Sequence, residues 1–212
     1  GKVLGEALAE IEALAKKNIP TGYSYGFFGH AEAFRESFYY LIMALVQAII
    51  IVYMVLAIQF NSFLHPLTVM LALPLSTVGA FGALYVTGDT LSIISMIGMI
   101  TLTALVVKNS ILLVNYTNTL REKGMERNQA VLQASPVRLR PILMTAVTTM
   151  LGVLPVALGY SAGGEVRAGM GRATFGGMFA STLLTLFIVP VVYTLLDDLQ
   201  EKVNILFKKK KK

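Results

Sequence analysis

Lys108 stands near the middle of an otherwise apolar stretch, Ser92–Tyr116, that is long enough to cross a bilayer. A charge at that depth costs roughly 2.5–3.5 kcal/mol on insertion scales, so such residues are rare and usually serve a function. Thr101 and Asn115 lie seven residues to either side of it. Seven residues is close to two helical turns, so all three share one face. A hydroxyl, an ammonium and an amide in line make a polar track through an apolar medium. Gly98 and Ala104 leave room beside the track, whereas Asn109 and Ser110 point elsewhere. Thr and Asn alone would read as an ordinary interhelical hydrogen-bond seam; the lysine tips the reading toward function. No carboxylate occurs inside any of the apolar stretches to pair with it.

Arg138 and Thr145 are also seven residues apart, at the entry to a later apolar stretch. Arg140 falls on roughly the opposite face and reads as an anchor that reaches for headgroups. Arg138 is either a second anchor or a residue that faces the interior, and composition leaves both open. Thr148 and Thr149 read as hydroxyls bonded to their own helix. No other chemistry is visible. Gly163-Gly164 and Gly176-Gly177 lack the Gly-Lys-Ser/Thr ending of a phosphate loop, and no nucleophile elbow or His-Glu-x-x-His occurs. Cysteine is absent, and His30 and His65 are far apart. An enzyme, a resident metal and an organic cofactor are therefore not expected.

The elements that must position these residues are membrane helices. The 212 residues are 55% hydrophobic and only 14% charged, against about 25% charged in ordinary soluble domains. Five apolar segments approach the roughly 20 residues a spanning helix needs: Phe38–Phe60, Pro66–Thr87, Ser92–Tyr116, Pro141–Tyr160 (with a possible start at Pro136) and Ala173–Leu196. Pro66 and Pro136 suit first helical turns, with Ser135 capping the latter. Pro74, Pro155 and Pro190 fall inside spans. The small-residue pairs Gly79/Ala83 and Gly176/Ala180 would let helices approach closely.

Before the first span, Gly1–Lys17 has helical periodicity, Pro20-Thr21-Gly22 breaks it, and Tyr23–Phe28 is strand-like. The predicted fold is an all-α polytopic membrane protein of five spans preceded by a small partial α/β segment. It divides into a soluble piece over 1–35, a bundle over 36–200 and a basic tail over 201–212. The chain opens at Gly1, its first methionine is Met43, and it reads as a piece of something longer. With five spans, eleven lysines and arginines fall on the side of the tail and six on the other. That bias puts the tail in the cytoplasm and the N-terminal segment outside. The five terminal lysines read as a solvated or lipid-facing tail; no basic-aromatic surface points to nucleic acid.

Four strings carry a family resemblance: LAIQFNSFLHPLTVMLALPLSTVGA, MIGMITLTALVVKNSILLVNYTN, SPVRLRPILMTAVTTMLGVLPVALG and GGMFASTLLTLFIVPVVYTLLDDL. They resemble the resistance–nodulation–division (RND) efflux transporters, over nearly the whole chain except the lysine tail. The resemblance implies the close of a periplasmic porter subdomain followed by transmembrane helices eight to twelve, with a periplasmic N-terminal segment and a cytoplasmic tail. It implies that Lys108, Arg138 and Thr145 are proton-relay residues, with Thr101 and Asn115 beside them. The family's paired aspartates belong to its fourth helix and are not in this chain. The implied activity is drug/proton antiport at the bacterial inner membrane. The implied partners are the N-terminal half that carries the acidic relay residues, two further protomers in a homotrimer, a periplasmic adaptor, an outer-membrane channel and the lipid bilayer. A heavy-metal exporter of the same superfamily and a membrane scaffold or protein-export accessory subunit are the competing readings.

Overall fold

Seven helices make up the described chain: α1 (Leu4–Asn18), α2 (His30–Phe60), α3 (His65–Met70), α4 (Ala72–Thr87), α5 (Ile93–Glu122), α6 (Arg127–Leu158) and α7 (Gly164–Lys209). This computed structural model describes residues 4–20, 23, 26, 28–160 and 163–209. Five stretches are long and apolar enough to cross a membrane: Glu32–Phe60, His65–Thr87, Ile93–Glu122, Arg127–Leu158 and Gly164–Asp198. Each covers all or nearly all of one of the five expected spans. The expected strand at Tyr23–Phe28 is not supported. Residues 24, 25 and 27 lie outside the described residues, Tyr23, Gly26 and Phe28 are not in a strand, and the described chain is all-helical.

One expected helix start and one expected unbroken span also change. Pro136 does not open a helix, because α6 already begins at Arg127 and carries Pro136, Pro141 and Pro155 inside it. Ser135 is therefore no cap; its hydroxyl donates to the Val131 carbonyl one turn back, at 2.9 Å. Arg138 and Arg140 thus sit on helix rather than in a loop. Conversely, the second span is broken: α3 ends at Met70 and α4 resumes at Ala72. Pro74 accounts for the break, since its ring meets the carbonyl of the residue four back, which is Met70.

The chain forms two compact units, Gly1–Val46 and Gln47–Lys212, and the boundary falls within α2. In the first unit, Lys16 pairs with Glu12 one turn away at 3.1 Å and holds its carboxyl below the ordinary carboxylate range. Phe34 and Phe38 stack on the next helix with ring centres 5.9 Å apart.

In the second unit α7 packs against α3, α4, α5 and α6, and α5 is the most enclosed span. Over half of the α5 span is buried, 56%, against 17% for α6. Leu56 of α2, Val69 of α3, Val107 and Val114 of α5, Ile142 of α6 and Val189 of α7 meet in one buried cluster. In lipid, such helices are held by close packing rather than by a hydrophobic drive, and small residues provide it. Gly79 and Ala83 of α4 face Ala180 and Gly176 of α7, so the two small-residue pairs lie against each other. Gly98 of α5 sits against the Met170 backbone, where an added Cβ would come 2.8 Å from the carbonyl oxygen. Its lack of a side chain serves the α5–α7 contact, and not the space beside Lys108.

Candidate functional site

The residues of α5 that are exposed between its ends are Ile97, Thr101, Ala104, Lys108 and Asn115. Their spacing of four, three, four and seven traces a single stripe along one face. The residues flanking it are enclosed: Leu102, Thr103, Val106, Val107, Asn109, Ser110 and Val114 are all buried. Asn109 is turned to α7, with its amide nitrogen 4.0 Å from the Met178 sulfur. So the most enclosed span of the bundle keeps one open face, and that face carries Thr101, Lys108 and Asn115. Thr101 bonds back to the Ile97 carbonyl at 3.0 Å, which satisfies its own hydroxyl donor. Among the described residues no salt bridge reaches Lys108.

On α6, Thr145 is exposed and donates within its own helix, to the carbonyls of Pro141 and Ile142, each at 3.0 Å. Pro141 and Pro155 remove backbone donors from this helix, and its threonine hydroxyls bond other carbonyls of the same helix. Thr148 bonds the Met144 carbonyl at 2.8 Å and Thr149 the Thr145 carbonyl at 2.7 Å. Arg138 is half-buried, and its guanidinium carbon stands 4.4 Å from the centre of the Tyr116 ring on α5. Its Nε is buried without a hydrogen-bond partner. Arg140 is exposed. Among the described residues no three potential metal ligands come together.

Two charged clusters that sequence reasoning missed close the ends of the bundle. At the end where α5 passes into α6, Arg121 donates to Asp197 at 2.9 Å and to the Tyr193 hydroxyl at 3.0 Å. Tyr193 in turn donates to Asn118 and stacks on His65, with ring centres 5.4 Å apart. Arg127 bonds Asp198 and lies 3.7 Å from Asp197. The cluster ties α3, α5, α6 and α7 together. At the opposite end Arg172 donates to Asp89 at 2.7 Å and, through Nε, to the Ala157 carbonyl at 3.0 Å. Ala157 lies in the last turn of α6, where helix carbonyls lack intrahelical donors; Gly88 and Gly159 stop α4 and α6 there in left-handed conformation. The signal in the sequence was the acidic pair Asp197-Asp198 on the same side as Arg121 and Arg127. Those arginines read only as topology anchors until their partners were located.

Five apolar helices, one of them with a polar open face, define a multi-pass protein of the inner membrane. The AcrB/AcrD/AcrF family description matches residues 1–197, and the chain belongs to that family of RND permeases. It is 38% identical over 208 residues to the swarming motility protein SwrC of Bacillus subtilis (strain 168), covering 95% of this chain and 20% of that protein. Among solved structures it is similar to a heavy metal efflux pump in two crystal forms. The TM-scores are 0.83 and 0.80, at 29% identity over 93% of this chain and 20% of the pump. The chain thus spans about a fifth of the length of these relatives.

Proposed function

We propose that this chain is the C-terminal membrane portion of a proton-driven RND pump that exports drugs or other amphiphilic compounds, and that it is inactive alone. The observation that carries the proposal is the open stripe of α5. Off the stripe no residue between the ends of this span is exposed, and a face that meets lipid wants apolar residues. This one presents Thr101, Lys108 and Asn115 instead. Lipid cannot solvate an ammonium, so protein must cover the stripe. The covering surface must bring negative charge, since none reaches Lys108 from within the described residues. Family membership supports taking that surface to be the N-terminal half with its acidic relay residues.

In this reading a carboxylate of that half holds Lys108 while ionised. Protonation removes its charge, and the ammonium then turns toward Thr145 or Asn115, with Arg138 at the cytoplasmic entry. The resulting shift of helices drives the periplasmic porter. The N-terminal segment over 1–35 belongs to that porter and lies outside, the bundle over 36–200 spans the inner membrane, and the basic tail over 201–212 is cytoplasmic. The assembly is a homotrimer joined to a periplasmic adaptor and an outer-membrane channel.

The likeness to a heavy metal efflux pump favours a second reading, export of metal ions. Met96 and Met99 are buried in the bundle rather than placed on the stripe, which supports core filling over a thioether path. Lys108→Ala in the full-length protein tests the relay. Proton-coupled export should be lost while trimer assembly persists, and retained export overturns the reading. Comparing tolerance to amphiphilic cations with tolerance to copper and zinc ions in cells that express the intact protein separates the two substrates.

A further inference from the structure

The contact between Arg138 and Tyr116 has no role in the mechanism just described. Arg138 is a cation at the mouth of a membrane bundle, and among the described residues it makes no salt bridge. Its Nε is buried and unpartnered. What faces the guanidinium is the π-face of Tyr116, 4.4 Å away. Such a face attracts a cation electrostatically, and more strongly where water is excluded. The ring is not free to yield. Tyr116 is partly buried and packs against the core cluster formed by α2, α3, α5, α6 and α7.

The contact also sets a register. The four-residue connection between Glu122 and Arg127 makes α5 and α6 antiparallel neighbours. Arg138 to Thr145 is seven residues, about 10.5 Å of rise along α6. Tyr116 to Lys108 is eight residues, about 12 Å along α5 in the same direction. Thr145 and Lys108 thus both lie about two helical turns beyond that contact, on the side away from the connection. A slip of one helical turn on that seat would shift one against the other by about 5 Å.

We propose that Tyr116 is a positioning residue for the relay. Its ring holds the Arg138 guanidinium at the cytoplasmic entry and so fixes the height of Thr145 against Lys108, without itself carrying a proton. The inference rests on the proton-relay reading above. A neutral ring suits this task where a carboxylate would not, because it seats a cation without introducing a second titrating group into the path.

Transport driven by an imposed proton gradient, measured with the full-length protein in proteoliposomes, tests it, with trimer assembly followed by size exclusion. Tyr116→Phe keeps the π-face and should transport within about two-fold of the parent; Tyr116→Leu keeps bulk without the π-face and should lose at least about ten-fold with assembly unchanged. If the leucine variant does not assemble, Tyr116→Trp decides: retained transport supports the inference, and loss with intact assembly overturns it. A leucine variant as active as the phenylalanine one overturns it, as does equal loss in both. Lys108→Ala and Arg138→Ala run beside them. If those two retain transport, the relay reading itself fails; if they lose it while Tyr116→Leu retains it, only the role of Tyr116 fails.

Discussion

Gly79 of α4 and Gly176 of α7 occupy each other's missing side-chain space. A Cβ on Gly79 would lie 2.7 Å from the Gly176 carbonyl oxygen, and one on Gly176 would lie 2.8 Å from the Gly79 carbonyl oxygen. Backbone cannot step aside as a flexible side chain can, so both positions require glycine for close approach rather than for conformation. Gly79→Val should destabilise the α4–α7 pair by about 1–3 kcal/mol or more through overpacking. Gly82→Ala, where an added Cβ meets nothing within 4 Å, should change stability little. Thermal unfolding of the purified full-length protein in detergent checks both, and equal midpoints for the two variants would refute the close packing.

The two neighbouring aspartates near the end of the last span are not equivalent. The Asp197 side chain is only 10% exposed and lies between Arg121 and Arg127, whereas that of Asp198 is 50% exposed. Removing a largely buried acceptor from a charged donor costs about 1–3 kcal/mol, and an exposed pair contributes about 0–1 kcal/mol. Asp197→Asn should therefore lower the unfolding midpoint clearly more than Asp198→Asn. The same order should hold at raised salt, which weakens the exposed pair first.

The open stripe of α5 should be covered in the intact transporter, unlike the outer face of α2. The 212 residues contain no cysteine, so single cysteines can be placed and labelled within this region once any elsewhere in the protein are replaced. Asn115→Cys and Thr101→Cys should react slowly with a lipid-soluble maleimide in membranes. Ile58→Cys, at a position that is 82% exposed, should react quickly. Mass spectrometry of the labelled protein gives the rates, and rapid labelling at both stripe positions would show that lipid, not protein, lies against α5.

Much of the architecture was legible because bilayer thickness converts directly into a count of apolar residues. All five spans were found that way, and the Gly79/Ala83 and Gly176/Ala180 pairs were visible as small-residue spacings. The seven-residue spacing of Thr101, Lys108 and Asn115 put them on one face, and they are on one exposed face. Helix boundaries were less legible. Hydropathy falls where helices leave the apolar layer, yet α5 and α6 run on through charged residues to Glu122 and back to Arg127. Pro136 looked like a helix start for the same reason. In α6 proline interrupts hydrogen bonding without ending the helix, since membrane helices can re-satisfy freed carbonyls locally.

Residue type and spacing by themselves determined that the chain is a membrane bundle with one costly intramembrane cation and no carboxylate beside it. Spacing along a chain specifies which residues share a face of their own helix, but not which helix that face meets. Only the tertiary structure decided that the small-residue pairs of α4 and α7 lie on each other, that Arg138 rests on Tyr116, and that Arg121 and Arg172 each take an aspartate from a distant part of the chain. These contacts join residues 22 to 101 positions apart in the sequence. Their energies depend on distance and burial, which no local pattern encodes. The structure also decided the point on which function turns: the exposed residues of α5 between its ends all fall on the face that carries Lys108.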